Sequence, residues 1–142
     1  MPWVSPTSHN DLGIWQSEAN AYDGDTGTDA TCGLAALGTY QGFLELLIAE
    51  ISSSKLRFYL GASQGGAPTY DIDVYYSGAW HDLYEATPAV DEWVEVSYGS
   101  TQDVTKMRIN YKNSSWNSAA LAEVEFEDLS PAESGAQVII SS

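Results

Sequence analysis

The sequence predicts an antiparallel β-sandwich, and three observations predict it. Segments of alternating apolar and polar residues recur along most of the chain, with side chains repeating every second position. Clusters of Gly, Pro, Asn and Ser separate them at fairly even spacing. Nine Tyr and five Trp among 142 residues supply side chains that pack well on pleated surfaces. There is no βαβ rhythm and no internal repeat. The length fits one domain with a core of its own.

Residues 1–13 are rich in Pro, Ser, Asn and Asp and read as an N-terminal arm. An aspartate-rich loop, "AYDGDTGTDA", follows at 21–30. "YQGFLELLIAEI" (40–51) has the length of a short helix or of a strand covered on both faces. It is assigned as a strand because every later segment is β. In "KLRFYLGA", Leu56, Phe58 and Leu60 share one face, and Lys55, Arg57 and Tyr59 the other. "SQGGAP" is a turn. "TYDIDVYYSGAW" sets Tyr70, Ile72, Val74 and Tyr76 against Asp71, Asp73 and Tyr75, and "SGAW" turns tightly into "HDLYEA".

Val94, Val96 and Tyr98 align in "WVEVSYG", and Met107, Ile109 and Tyr111 align in "KMRINYK". "NSSWNSA" is a loop. "LAEVEFEDL" closes the pattern, with Val124 and Phe126 inward and Glu123, Glu125 and Glu127 outward. The sandwich is therefore expected over residues 14–130. A tail over 131–142 carries the apolar run Val138 to Ile140.

Charge excludes several functions. Twenty Asp and Glu against five Lys and Arg give a net charge of -15. That repels nucleic-acid phosphates and anionic membranes, and it favours solubility, cations or a basic partner. A lone Cys32 provides neither a disulfide framework nor a zinc cluster. No apolar run is long enough to span a membrane. "MPWVSPTSHN" lacks the features of a signal peptide, so either the protein is not exported by that route or Met1 begins a piece of a longer chain.

The aspartate loop is the strongest chemical signal. It is not an EF-hand: counted from Asp23, the fifth, sixth and twelfth positions are Gly27, Thr28 and Leu34. It nevertheless offers hard-cation chemistry. Asp23 and Asp25 bring carboxylates, Thr28 a hydroxyl, and Gly24 and Gly27 let the backbone curl so that carbonyls can converge. One short loop rarely supplies six ligands, so a partner from elsewhere is needed.

"SEANAYDGDTGTDA" resembles the "A-x-DG-x-x-x-T" loop of discoidin-type (F5/8 type C) and family-32-like carbohydrate-binding modules. "GFLELLI", "YDIDVYYSGAWHDL", "KMRINYKN" and "LAEVEFEDL" resemble the strands that follow in that family, in the same order, over roughly residues 12–129. The resemblance implies a galactose-binding-like jelly roll and a structural calcium ion. Its side-chain ligands would be Asp23, Thr28 and Glu123, with the carbonyls of Asn20, Asp25 and Ala122 completing the shell. One departure is that "DATCG" stands where the family often has an aromatic after the Thr.

The chemistry of an enzyme is not visible. His9 and His81 are the only histidines. His81 and Asp82 are strand neighbours that point to opposite faces, and no "G-x-S-x-G" elbow occurs. Glycan recognition is better supported, because sugar rings stack on flat aromatics and polar groups take the hydroxyls. Trp116, flanked by Asn113 and Asn117, is the first candidate. Trp80 with His81, and Trp15, are the others. "NSS" at Asn113 is also a glycosylation sequon.

The expected function is a non-catalytic recognition module that binds glycan or cell-surface polysaccharide through loops on a calcium-stabilised sandwich. The alternative is a virion structural protein, a capsid decoration or tail component. Its arm and tail would add strands to other virion or surface proteins. Either reading implies an extracellular or virion-surface location.

Overall fold

A computed structural model describes residues 2–11, 15–32, 43–61, 69–112 and 119–130. Among the described residues, nine strands carry the fold: β1 (Trp3–Val4), β2 (Ser8–Asp11), β3 (Trp15–Gln16), β4 (Ala30–Cys32), β5 (Leu44–Leu60), β6 (Thr69–Tyr76), β7 (Ala79–Ala86), β8 (Trp93–Lys112) and β9 (Ala119–Glu127). All the pairings are antiparallel.

Two long strands turn one hydrogen-bonded network into two layers. The first half of β5 pairs β2 at Leu44–Leu47, and its second half pairs β9 at Leu56–Leu60. Strand β8 follows it through both halves, as Leu44↔Ile109 and Phe58↔Val94. Register breaks between Leu47 and Ile51 and between Ser53 and Lys55 let both strands bend from one layer into the other. The first layer runs β3-β4-β9-β5-β8, and the second runs β2-β5-β8-β6-β7. The segments "YQGFLELLIAEI" and "KLRFYLGA" therefore belong to one continuous strand, as do "WVEVSYG" and "KMRINYK".

The alternation places the core as expected. Leu56, Phe58, Leu60, Tyr70, Ile72, Val74, Met107, Ile109, Tyr111, Val124 and Phe126 are all buried. Aromatic side chains tie the layers together. Phe58 of the first meets Tyr84 of the second edge-on at 5.5 Å, and Trp15 meets Tyr111 at 6.3 Å. The Tyr70 hydroxyl accepts a hydrogen bond from the Ala120 amide at 3.2 Å.

Two expectations need correction. The stretch read as an arm is part of the sandwich: β1 pairs β9 and β2 pairs β5. Its polar composition hid this, because backbone ladders need no apolar side chains. Trp3 lies against the Arg57 guanidinium at 4.3 Å. Glu123 and Glu127 do lie opposite Val124 and Phe126, yet both are buried. Other segments cover that outer face. The tail over 131–142 lies outside the described residues.

The β6–β7 hairpin closes with Ser77 and Gly78, both at positive φ (54° and 76°), which is the type I′ geometry that matches strand twist. A Cβ at Gly78 would meet nothing within 4 Å, so only the backbone opposes a side chain there. Gly78→Val is expected to cost about 1–2 kcal/mol, and Gly78→Asn much less. Paired thermal melts would check this; equal melting temperatures for the two variants would contradict the turn assignment.

Candidate functional site

The aspartate loop is built by its own side chains. Ser17, in the left-handed region, starts a short 3-10 helix over Glu18–Tyr22, and Asp23 ends it. Asp23 Oδ1 accepts from the Asp25 amide at 2.9 Å, and Asp25 Oδ1 accepts from the Gly27 amide at 2.7 Å. These are the local turns that Asp favours. The Thr28 hydroxyl lies against both Asp23 Oδ2 and the Asp25 carbonyl. Asn20 Nδ2 donates to the Asp29 carbonyl at 3.1 Å and ties the helix to the far side of the loop. Tyr22 is held by a 2.8 Å contact between its hydroxyl and His9 Nδ1. Gly61 fits because an added Cβ would sit 2.8 Å from Asp29 Oδ1.

Glu123 comes to this loop from β9. The register slips between Tyr59↔Glu123 and Leu60↔Leu121, so Ala122 is an extra residue in the ladder. Glu123 Oε2 accepts from the Gly24 amide at 2.9 Å, across 99 positions of sequence. Its other oxygen, Oε1, is buried with no hydrogen-bond partner, and the residue is only 1% exposed. Burial first, and then the neighbouring Asp23 carboxyl, push Glu123 up to about 8. Burial also acts to raise Asp23, but hydrogen bonds from Thr28 and Glu123 outweigh it and hold Asp23 below the usual carboxylate range.

A buried carboxylate oxygen without a donor, beside a second carboxylate, is costly unless a cation or a proton supplies the missing charge. The donor set is all oxygen, as a hard cation requires. Asp23 and Thr28 lie together in the loop, and Glu123 reaches it through the Gly24 amide. Among the expected carbonyl donors, that of Asp25 already accepts from Thr28, and Ala122 lies in the bulge. Asn20 sits in the adjoining helix.

The expected sugar contacts are less uniform. Trp116, Asn113 and Asn117 lie outside the described residues. Trp80, on β7, is half-buried. Its ring packs edge-on to Tyr75 at 5.2 Å and carries Arg108 at 4.3 Å and Lys106 at 5.2 Å. His81 stacks on Tyr76 with centroids 3.8 Å apart, and its Nε2 contacts the Tyr76 carbonyl at 3.0 Å. Trp15 is corrected: at 3% exposure it is a core residue and presents no face to a ligand. Strand β3, which carries it, pairs β4 over the core.

Sequence reasoning missed a second acidic group. Asp71, Asp73 and Asp82 present carboxylate oxygens within 4.8 Å of one another, a spacing that could hold a metal ion. Arg108 already answers part of that charge through a 2.8 Å ion pair to Asp73. Burial, then Asp73, Asp82 and Glu85, push Asp71 up to about 6. The signal was present in "YDIDV", where both aspartates alternate onto the outer face. Asp82 joins them because β7 carries an extra residue at Leu83, which sets Asp82 opposite Asp73.

No family model and no curated protein matches the sequence. Solved structures do match. The family 32 module of AlyQ, in complex with 4,5-unsaturated mannuronic acid, superposes with a TM-score of 0.67 over 89% of this chain and 98% of its own, at 13% identity. The family 32 module of NanJ from C. perfringens, in complex with galactose, gives 0.63 over 84% and 90%, at 18% identity. A pectin-binding module gives 0.64 over 89% and 94%, at 14% identity.

The chain has the fold of the family 32 carbohydrate-binding modules. This galactose-binding-like sandwich covers 98% and 90% of the two family 32 modules. The loop and β9 meet on the outer face of its first layer. No helix among the described residues is long and apolar enough to cross a membrane.

Proposed function

We propose that this protein is a non-catalytic, extracellular glycan-recognition module whose binding loops are held by a calcium ion at Asp23, Thr28 and Glu123. The observation that carries the reading is a fold shared over 84–89% of this chain with modules solved with sugars bound. Two features of this chain support it. Glu123 Oε1 is buried without a partner beside Asp23 and the Thr28 hydroxyl. The strand ends that flank 33–42, 62–68 and 113–118 also meet at one end of the sandwich. Lys112 pairs Thr69, Cys32 pairs Ala119, Leu44 pairs Ile109, and the Gly61 amide donates to the Ala120 carbonyl.

In sequence, Trp116, Asn113 and Asn117 fall between Lys112 of β8 and Ala119 of β9, which border this end. In this reading the sugar ring stacks on Trp116 and the two asparagines take its hydroxyls. When bound, the calcium ion would supply positive charge to the buried Glu123 carboxylate and to its exposed neighbour Asp23. The chain's own residues fix the loop: Asp23 and Asp25 cap its turns, Asn20 anchors Asp29, and Glu123 ties the loop to β9. His81 contacts a backbone carbonyl through Nε2, which fits a structural role.

A glycan array tests the reading, with Trp116→Ala as the control. Wild-type protein is expected to retain one class of glycan, and the variant to lose it about tenfold or more, the loss expected for a stacking aromatic at a binding hot spot. An array on which neither protein binds would remove the glycan reading.

A further inference from the structure

We propose that the opposite end of the sandwich carries a second, independent ligand site, a polar cleft suited to a protonated amino sugar. The cleft has a volume of about 380 Å³ and is lined by Glu50, Ser77, Gly78, Thr101, Gln102 and Asp103. Strand β6 separates it from the loop end. Thr69 begins β6 beside Lys112, and Tyr76 ends it at the Ser77–Gly78 turn, roughly 23 Å further on at strand rise.

Three departures from regular pairing build this cleft. Leu47 opposes Lys106 and Ile51 opposes Val104, so Ile48, Ala49 and Glu50 stand against Thr105 alone. Ser53 opposes Gln102 and Lys55 opposes Ser97, so Ser54 stands against Tyr98 to Thr101. That excursion turns at Gly99, with φ at 90°, and its amide is caught by Ser97 Oγ at 3.0 Å. The third departure is the type I′ turn at Ser77 and Gly78. Each interrupts the ladder next to the cleft and shapes its wall.

The lining selects the chemistry. Among the described residues it contains hydroxyls from Ser77 and Thr101, the Gln102 amide and two carboxylates, and no lysine, arginine or large apolar side chain. Asp103 is oriented by the Ser52 hydroxyl, which donates to its Oδ1 at 3.1 Å, and Gln102 by a 2.9 Å bond to Ser100 Oγ. Hydroxyls and an amide suit a polyhydroxylated ligand. Glu50 and Asp103 favour a cationic one and repel a uronic acid. The net charge of -15 reinforces that preference at long range.

The test uses the full chain with calcium present, at mildly acidic pH where amines are protonated and exposed carboxylates ionised. Glucosamine trimer, N-acetylglucosamine trimer and galacturonate trimer are titrated while backbone amide shifts are followed. Glucosamine trimer is expected to move the amides of Ser77, Gly78, Thr101 and Gln102. Glu50→Gln with Asp103→Asn should weaken that binding roughly tenfold, as for loss of charge-assisted hydrogen bonds. Glu18→Gln with Glu92→Gln removes equal charge elsewhere and should leave it unchanged.

No shift in the cleft overturns the proposal. So does an equal loss in the control pair, which would mean attraction to net charge alone. Equal response to galacturonate trimer also overturns it. Shifts confined to 112–119 would overturn it while leaving the loop-end reading intact. An amide spectrum of the double variant that matches wild type outside the cleft shows that the fold is kept.

Discussion

Adding calcium to chelator-treated protein is expected to raise its melting temperature by roughly 8–10 °C, and Glu123→Gln should abolish the rise. A ligand that binds only the folded state at about a hundred times its Kd contributes about 2.7 kcal/mol. A chain of this length shifts by roughly 3–4 °C per kcal/mol. The glutamine keeps an oxygen for the Gly24 amide but removes the carboxylate charge, so calcium sensitivity should vanish while the fold remains. Melts with chelator, calcium and magnesium decide the matter. A wild-type curve that ignores both the chelator and calcium would sink the metal reading, and a response retained by Glu123→Gln would relocate it.

The same pair of carboxylates gives the cation-free protein a pH dependence of unusual sign. Glu123 is raised to about 8 in the fold, above the 4.5 of a free glutamate. Between those values the folded state holds a proton that the unfolded state has lost. Stability from this group is therefore fully present below about 4.5 and falls as pH rises towards 8. With chelator present, the melting temperature should drop across that window, and Glu123→Gln should flatten the drop. Calcium should offset it at the alkaline end, where the ionised carboxylate meets the ion instead of a proton.

Phe58→Ala is expected to destabilise the sandwich by about 3–5 kcal/mol, a fall of roughly 10–15 °C in melting temperature. The ring is completely buried at the second half of β5 and meets Tyr84 of the opposite layer edge-on at 5.5 Å. Its removal leaves a cavity between two layers that cannot close without bending both. Tyr59, next along the strand, provides the control. It faces outward against Trp93 at 5.6 Å, and Tyr59→Ala should cost well under half as much. Equal losses at 58 and 59 would mean that the faces of β5 have been assigned wrongly.

Strand faces were legible because alternation is a local property. Leu56, Phe58 and Leu60 point inward whatever the partner strand, and so do Tyr70, Ile72 and Val74. The corners were not legible. A register break such as Leu47 to Ile51 depends on what lies across the ladder, so one bent strand read as two segments. The polar segment Ser8–Asp11 concealed a strand for the same reason: backbone pairing leaves no mark in side-chain type.

The amino-acid sequence by itself determined the all-β class, the inward faces and the oxygen-rich chemistry of the 21–30 loop. Its likeness to a known family named Glu123 as the distant partner. Only the tertiary structure decided that Glu123 is buried while Glu125, on the same face, keeps its partial exposure and pairs Arg57. It also decided that Trp15 is core, and that three aspartates share one outer face. The physical reason is one of range. The period of a strand fixes the side on which a residue stands, but its burial depends on which remote segment folds over that side.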